Sequence, residues 1–229
     1  MRAKFDEQLK ELHVELIKMG SLCEEAISLS AKALEGGPEA AELARRVSPL
    51  EYEIDQKERE IEGRCMRLLL QQQPVAADLR AVSAALRMIA DLERIGDQAA
   101  DIAELTPYIT EETIRKELPI SRMAQCAVSM VTGSVDAFVR EDLELAQRII
   151  GEDDRVDAYF DEIKEELSRC IVEKAIEPKA VLDLLMAAKY FERIGDHAVN
   201  VAEWVEYSIT GIHKSSEHHG GAFGDMRGR

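Results

Sequence analysis

The sequence predicts an all-α protein organised as two tandem, pseudo-symmetric three-helix bundles produced by internal duplication. Helix-forming residues dominate the 229-residue chain, which has only 13 glycines and 6 prolines. Apolar residues recur at intervals of three and four, the spacing of an amphipathic helix. The pentapeptide Glu-Arg-Ile-Gly-Asp occurs twice, at residues 93–97 and 192–196. A segment that returns after about 100 residues indicates two consecutive copies of one unit.

In the first half, glycines and prolines divide the helical pattern into three segments. Gly36, Gly37 and Pro38 end the first segment, because glycine favours a helix C-terminus and proline cannot continue a helix. Pro74 separates the second segment from the third, and Pro49 is expected to kink or split the second. The predicted helices cover residues 3–35, 39–72 and 75–106. Tight turns between long helices predict an antiparallel bundle.

The second half repeats this plan after a polar segment that contains prolines, which we interpret as a linker. Its predicted helices cover residues 120–139, 142–175 and 178–209. The last residues are rich in Gly, Ser and His without periodicity, and are expected to be disordered. The predicted domains are a first bundle at 1–107, a linker at 108–119, a second bundle at 120–211 and a tail at 212–229.

Pairs of acidic residues one helical turn apart occur at matching positions of both halves. They are Glu51/Asp55 and Glu93/Asp97 in the first half, and Asp153/Asp157 and Glu192/Asp196 in the second. The second-helix pairs correspond after 102 residues, and the third-helix pairs after 99. One turn places the Cβ atoms of a pair roughly 5–6 Å apart. Carboxylates at this spacing can share one cation or bridge two.

The third-helix acids continue a stripe that is apolar earlier in the helix. Upstream of Glu93 the stripe holds residues expected in the core, namely Val75, Leu79, Val82, Leu86 and Ile89. Upstream of Glu192 it holds Val181, Leu185 and Ala188. Like charges one turn apart repel by a few tenths of a kcal/mol, so folding alone does not explain the acids. A bound cation is expected, and the alternative is a solvated acidic face without an ion.

The sequence therefore predicts a metal site between the second and third helices of each half. The expected ligands of the first half are Glu51, Asp55, Glu93, Asp97 and Asp101. Those of the second half are Asp153, Asp157, Glu192, Asp196 and Asn200. This oxygen-rich set suits Mg²⁺, Mn²⁺, Ca²⁺ or iron, and zinc less well.

Further predictions concern two interior glycines and a histidine next to these acids. Gly96 and Gly195 lie inside helices, where glycine costs about 1 kcal/mol relative to alanine, so a gain in packing or access is expected. Close approach of another helix is the simpler interpretation. His197 lies roughly 100° from Asp196 around the helix and is not expected to be a ligand.

Composition excludes several classes of function. The formal net charge of −16 argues against direct binding of nucleic acid or anionic lipid. No apolar run approaches the roughly 20 residues of a membrane span, and the N-terminus does not read as a signal peptide, so a cytoplasmic protein is expected. The four cysteines occur singly, which favours reduced thiols that pack in the core.

The motifs of known catalytic sites are not found in the sequence, so we predict that the protein is not an enzyme. Di-iron and di-manganese bundles use Glu-x-x-His on two helices, and neither half contains that motif. A Ser/His/Asp set and a phosphate-binding glycine loop are likewise not recognised. Two alternatives stay open. One is a metalloenzyme or metal store built on the same carboxylates, and the other is a structural scaffold without an ion.

The repeated acidic motif resembles the signature of the PhoU family of phosphate-transport accessory regulators. The segments that carry the likeness are residues 92–97 and 191–198, supported by residues 2–9, the Met19-Gly20 step and residues 73–80. The likeness covers residues 1–211, nearly the whole chain.

This resemblance implies a cytoplasmic protein with pseudo-twofold symmetry that is often a homodimer. The family negatively regulates the phosphate-starvation response, as a link between the ATPase subunit of the phosphate ABC transporter and a membrane sensor histidine kinase. Its members can carry multinuclear iron or zinc clusters, or manganese or magnesium ions, at the acidic motifs. This sequence departs from the pattern at Asn200, where the first half has Asp101, so we expect weaker charge and unequal occupancy in the second half.

Overall fold

The computed structural model describes residues 2–109, 118–173 and 177–212, with side chains from residue 4 onward. These ranges contain α-helices, one short 3₁₀-helix at Thr106–Tyr108, and no β-strand. The α-helices are α1 (Arg2–Glu35), α2 (Ala40–Arg45), α3 (Val47–Gln72), α4 (Ala77–Leu105), α5 (Ile120–Arg140), α6 (Leu143–Glu173) and α7 (Pro178–Thr210). The predicted all-α class is confirmed.

The glycines and prolines that interrupt the sequence pattern also interrupt the helices. Gly36 and Gly37 follow α1 with positive φ angles of 88° and 96°. The predicted second helix is split into two helices. The first, α2, ends at Arg45, and the second, α3, begins at Val47. Pro49 lies in the first turn of α3, where backbone N–H groups have no helical partner, so the proline is tolerated there.

The apolar stripe of α4 is buried only along part of its length. Val82 and Ile89 are buried and Leu86 is partly buried, as predicted. The prediction is wrong for Val75 and Leu79, which are 73% and 45% exposed. Val75 precedes α4 and Leu79 lies in its first turn, so both are at the end of the bundle, where fewer side chains surround them. The matching residues of α7 are buried or partly buried: Val181, Leu185 and Ala188.

Each half consists of three long helices that contact one another. These are α1, α3 and α4 in the first half (residues 1–107), and α5, α6 and α7 in the second half (residues 120–211). The halves meet where α4 packs on α7 and where α1 packs on α5. The buried apolar side chains form a continuous cluster through both halves. The two copies therefore share one core.

Helices α4 and α7 run antiparallel and are related by an approximate twofold axis. Asp91 Oδ1 lies 2.9 Å from His197 Nδ1 and accepts a hydrogen bond from Asn200 Nδ2 at 3.1 Å. In the symmetric position, Tyr190 of α7 faces Asp101 of α4. Burial, and then the negative charge of Asp101, raises the pKa of the Tyr190 hydroxyl. Early residues of each helix thus face late residues of the other.

Gly96 and Gly195 allow the neighbouring helices to approach closely, as predicted. A Cβ atom on Gly96 of α4 would lie 2.9 Å from Ile54 Cδ1 of α3. A Cβ atom on Gly195 of α7 would lie 3.2 Å from Val156 Cγ1 of α6. Ile54 and Val156 are counterparts in the two halves, so the same contact fixes the same helix pair twice.

The predicted linker and tail are described only in part. Within the 108–119 linker, Ile109 and Leu118 are buried, and residues 110–117 lie outside the described residues. Of the predicted tail at 212–229, residues 213–229 lie outside them too. All four cysteines are buried thiols, as expected for packing residues. Within the described ranges, no helix combines the length and apolar character needed to cross a bilayer.

Candidate metal centres

The acids of the first half meet in the groove between α3 and α4. Carboxylate oxygens of Asp55 and Glu58 on α3 and of Glu93 on α4 all lie within 4.8 Å of one another. Among the described residues, no other group of three or more His, Cys, Asp or Glu converges this closely. Two of these three acids were predicted as ligands, and the third was not.

Sequence reasoning missed Glu58 although a signal for it exists. Glu58 follows Glu51 by seven residues and Asp55 by three, which places all three on one helix face. Glu58 is not part of the repeated acidic pattern, because its counterpart 102 residues later is Phe160. The repeated pattern of acids therefore does not predict a ligand that is present in only one copy.

The α4 acids are half-buried and interact with those of α3. Burial, followed by the charges of Asp97, Glu58 and Asp55, raises the pKa of Glu93. Burial and then the charge of Asp55 raise the pKa of Asp97. Carboxylates whose ionised form is destabilised in this way gain the most from a nearby cation.

Towards α2 the groove opens into a cavity of about 660 Å³, lined in part by Glu51, Asp97 and Asp101. Burial, and then the negative charge of Asp55, raises the pKa of Glu51. Burial and then Glu104 raise the pKa of Asp101. The acids along this groove are called the first cluster: Glu51, Asp55, Glu58, Glu93, Asp97 and Asp101. All five acids predicted for the first half lie in it.

The acids of the second half meet in the matching groove between α6 and α7. Burial, followed by the charges of Asp157, Asp196 and Glu192, raises the pKa of Asp153 to about 6. The Oδ1 atom of Asp153 is buried and has no hydrogen-bond partner among the described residues. It lies 3.3 Å from the point that a Cβ atom on Gly195 would occupy. Asp153, Asp157, Glu192 and Asp196 are called the second cluster.

Two acids of the second cluster are more exposed than any acid of the first. Asp157 and Asp196 are exposed, whereas every acid of the first cluster is half-buried. Burial and then Glu192 raise the pKa of both Asp157 and Asp196, and Lys189 opposes this rise. Lys189 also forms an ion pair with Glu192.

Asn200, predicted as a ligand of the second half, is engaged at the interface between α4 and α7. Its Nδ2 atom donates to Asp91 Oδ1, the same oxygen that lies against His197 Nδ1. His197 therefore lies against Asp91 at the interface between the halves. The structure therefore brings nine of the ten predicted residues into two grooves and gives Asn200 a contact that joins the halves.

The donor chemistry of both grooves suits a metal ion. All the donors are carboxylates, which Mg²⁺, Mn²⁺, Ca²⁺ and iron accept readily. The convergence of Asp55, Glu58 and Glu93 fits one cation, and the buried unpartnered oxygen of Asp153 fits another. A cation in either groove would offset the repulsion that raises the pKa values there.

Comparison with known proteins agrees with the duplicated architecture. The family model for the PhoU domain matches twice, at residues 16–106 and 120–205. A phosphate-specific transport system accessory protein PhoU homolog from Clostridium acetobutylicum is 37% identical over 214 residues, or 92% of this chain and 96% of the relative. A homolog of the same name from Pseudomonas aeruginosa is 33% identical over 210 residues, or 91% of this chain and 86% of the relative.

Two solved structures share the fold. The crystal structure of PhoU from Pseudomonas aeruginosa matches with a TM-score of 0.80 at 31% identity, over 91% of this chain and 100% of that one. The phosphate transport system regulatory protein PhoU from Streptococcus pneumoniae matches with a TM-score of 0.83 at 27% identity, over 92% and 99%. The family matches cover both halves and both acidic grooves. The chain therefore belongs to the PhoU family.

Proposed function

We propose that this protein is a cytoplasmic accessory regulator that restrains phosphate uptake and the phosphate-starvation response. It acts as a metal-binding adaptor between the ATPase subunit of the phosphate ABC transporter and a sensor histidine kinase, and works as a homodimer. The names of its relatives support the role in phosphate transport. The observation that carries the metal-binding part is the pair of carboxylate grooves built at matching helix contacts.

The geometry relates metal binding to the shape of each half. Each cluster draws its ligands from two helices that meet at a glycine, Gly96 or Gly195. An ion held between α3 and α4, or between α6 and α7, would fix the relative position of the two helices. Iron, zinc, Mn²⁺ and Mg²⁺ are the candidate ions. Together with the net charge of −16, this arrangement favours a partner with a basic docking surface.

The adaptor role is tested by binding to purified transporter ATPase subunit and to the sensor kinase. The full chain is immobilised in two states, one loaded with Mn²⁺ and one stripped of metal with a chelator. Retention of either partner, with a difference between the two metal states, is the expected result. The variant Glu93→Gln/Glu192→Gln should behave like the stripped protein. The control Glu53→Gln/Glu165→Gln, at exposed positions of the neighbouring helices α3 and α6, should behave like the wild type. Failure to retain either partner in both states would contradict the adaptor role.

The alternative of a metalloenzyme or metal store has one observation in its favour. The cavity of about 660 Å³ borders Glu51, Asp97 and Asp101, so a small molecule could reach an ion held there. Metal-dependent turnover that disappears in Glu93→Gln, together with no retention of a partner, would favour the enzyme. Partner binding without turnover would favour the adaptor.

A further inference from the structure

The two clusters differ at two positions that contact each other. Lys189 on α7 corresponds to Ala90 on α4, and Phe160 on α6 corresponds to Glu58 on α3. The Lys189 Nζ atom pairs with Glu192 and lies 5.4 Å from the centre of the Phe160 ring. Where the first half has a third converging carboxylate, the second half has an aromatic ring beneath an ammonium group.

The Lys189 ammonium acts on most of the second cluster. Besides its ion pair with Glu192, its charge works against the raised pKa of Asp157 and of Asp196. A metal ion and an ammonium group that face the same carboxylates compete, because each supplies the positive charge that the other would neutralise. A cation is therefore already paired with one of the expected ligands of the second site.

The first cluster also contacts a cation, but in a different way. Arg59 Nη2 donates to Asp55 Oδ2 at 2.6 Å, from a side chain that is 62% exposed. This contact leaves Asp55 converged with Glu58 and Glu93. The second cluster has four acids instead of six, and no three of them converge within the same 4.8 Å. Arg59 thus pairs with one acid of its cluster, whereas Lys189 pairs with Glu192 and also acts on Asp157 and Asp196.

We propose that Lys189 is an internal cation of the second cluster, which makes the second half the weaker metal site and leaves the first half to fill first. This inference rests on the proposed function, since it assumes that the clusters bind metal ions. Metal binding in the second half must displace the ammonium from Glu192. The two halves would therefore respond to different metal concentrations.

The test is a Mn²⁺ titration of the full, metal-stripped chain, in which free Mn²⁺ is counted by electron paramagnetic resonance. Glu93→Gln/Asp97→Asn disables the first cluster, so that the second is measured alone. In this background, Lys189→Ala is expected to tighten Mn²⁺ binding by about tenfold or more, because one opposing charge near the ion is removed. Lys189→Met keeps an apolar side chain beside Phe160 and should give the same gain.

Matched controls separate local from general effects of charge. Lys32→Ala removes a positive charge from an exposed position of α1 and should leave Mn²⁺ affinity unchanged. The reciprocal variant, Ala90→Lys, is made with the second cluster disabled by Glu192→Gln/Asp196→Asn. Ala90 is exposed, so a lysine fits there, and Mn²⁺ binding to the first cluster should weaken.

The outcomes distinguish this inference from the function on which it rests. If the wild type binds Mn²⁺ but Lys189→Ala and Lys189→Met bind no more tightly than Lys32→Ala, the inference fails and metal binding stands. If no variant binds Mn²⁺ in either half, both fail. Circular dichroism of every variant verifies folding, and the methionine variant decides the matter if the alanine variant unfolds.

Discussion

Asn200 of α7 donates a hydrogen bond to Asp91 of α4 at 3.1 Å. Asn200 corresponds to Asp101 of the first half, so the residue that stands in place of this carboxylate joins the two halves. The same Asp91 oxygen lies 2.9 Å from His197 Nδ1. The counterpart of Asp91 in the second half is Tyr190, so this contact occurs once rather than twice. Divergence after duplication thus placed the acceptor, Asp91, in the first copy and its partners, His197 and Asn200, in the second.

Loss of the Asp91 contact should weaken the interface between the halves. Asp91→Ala leaves His197 and Asn200 without their shared acceptor, and should lower the free energy of unfolding by about 1–2 kcal/mol. Urea denaturation measures the change. Asp161→Ala, which breaks an ion pair with Lys164 on exposed side chains, should cost less than about 0.5 kcal/mol. Equal losses in the two variants would mean that the Asp91 contact adds nothing.

Close packing at Gly96 should outweigh the gain in helix propensity from alanine. Gly151→Ala places its Cβ in open space and should stabilise the protein by about 0.5–1 kcal/mol. Gly96→Ala meets Ile54 Cδ1 at 2.9 Å and should be less stable than Gly151→Ala by about 1–2 kcal/mol. Adding Ile54→Val, which removes the Cδ1 atom, should recover part of the loss in thermal unfolding. Similar stability of the two alanine variants would show that the contact relaxes freely.

The raised pKa of Asp153 makes the stability of the metal-free protein depend on pH. Because the folded-state pKa of about 6 exceeds the ordinary value of 3.8, the folded protein holds this proton more tightly than the unfolded chain. Its contribution to stability therefore falls as pH rises from about 4 to 6 and stays low above that range. Asp153→Asn should stabilise the stripped protein by about 1–2 kcal/mol at pH 7 and by little near pH 4.

Urea denaturation at the two pH values, with chelator present, measures this effect. Glu165→Gln, at an exposed position of the same helix, should change stability little at either pH. With saturating Mn²⁺ the sign should reverse, because Asp153→Asn then removes a ligand. A stabilisation that is the same at pH 4 and pH 7 would contradict the assignment of the effect to this carboxylate.

Glu58 should contribute to metal binding in the first half although it has no acidic counterpart in the second. Glu58→Gln should weaken Mn²⁺ binding to the first cluster by about tenfold, through the loss of one of three converging charges. Glu53→Gln, at an exposed position of the same helix, is the matched control. Calorimetric titration with the second cluster disabled gives the affinity. If both variants bind alike, Glu58 is not a ligand.

Local sequence patterns predicted the features that depend on neighbouring residues. The turn at Gly36 and Gly37 and the helix break before Pro49 follow from backbone restrictions. The helical period brought the acids of each half to one face, and the interior glycines predicted a close helix contact. Such features need no knowledge of how the bundles pack.

The features that were missed depend on packing between helices or on differences between the copies. The angle of Asn200 around α7 does not reveal that Asp91 of α4 lies within hydrogen-bond distance. The internal repeat does not reveal Glu58 or Lys189, because each is present in one copy only. Val75 matched the apolar period, but the helix begins two residues after it.

The most direct test of metal binding is elemental analysis of the protein purified without a polyhistidine tag. The wild type, after incubation with Mn²⁺, Zn²⁺ or Fe²⁺ and gel filtration, should retain at least about one metal ion per chain. Glu93→Gln/Glu192→Gln has the same tail histidines and should lose most of this metal. Wild-type protein that retains none of the three metals, or a double variant that retains as much as the wild type, would contradict the assignment of the two grooves as metal sites.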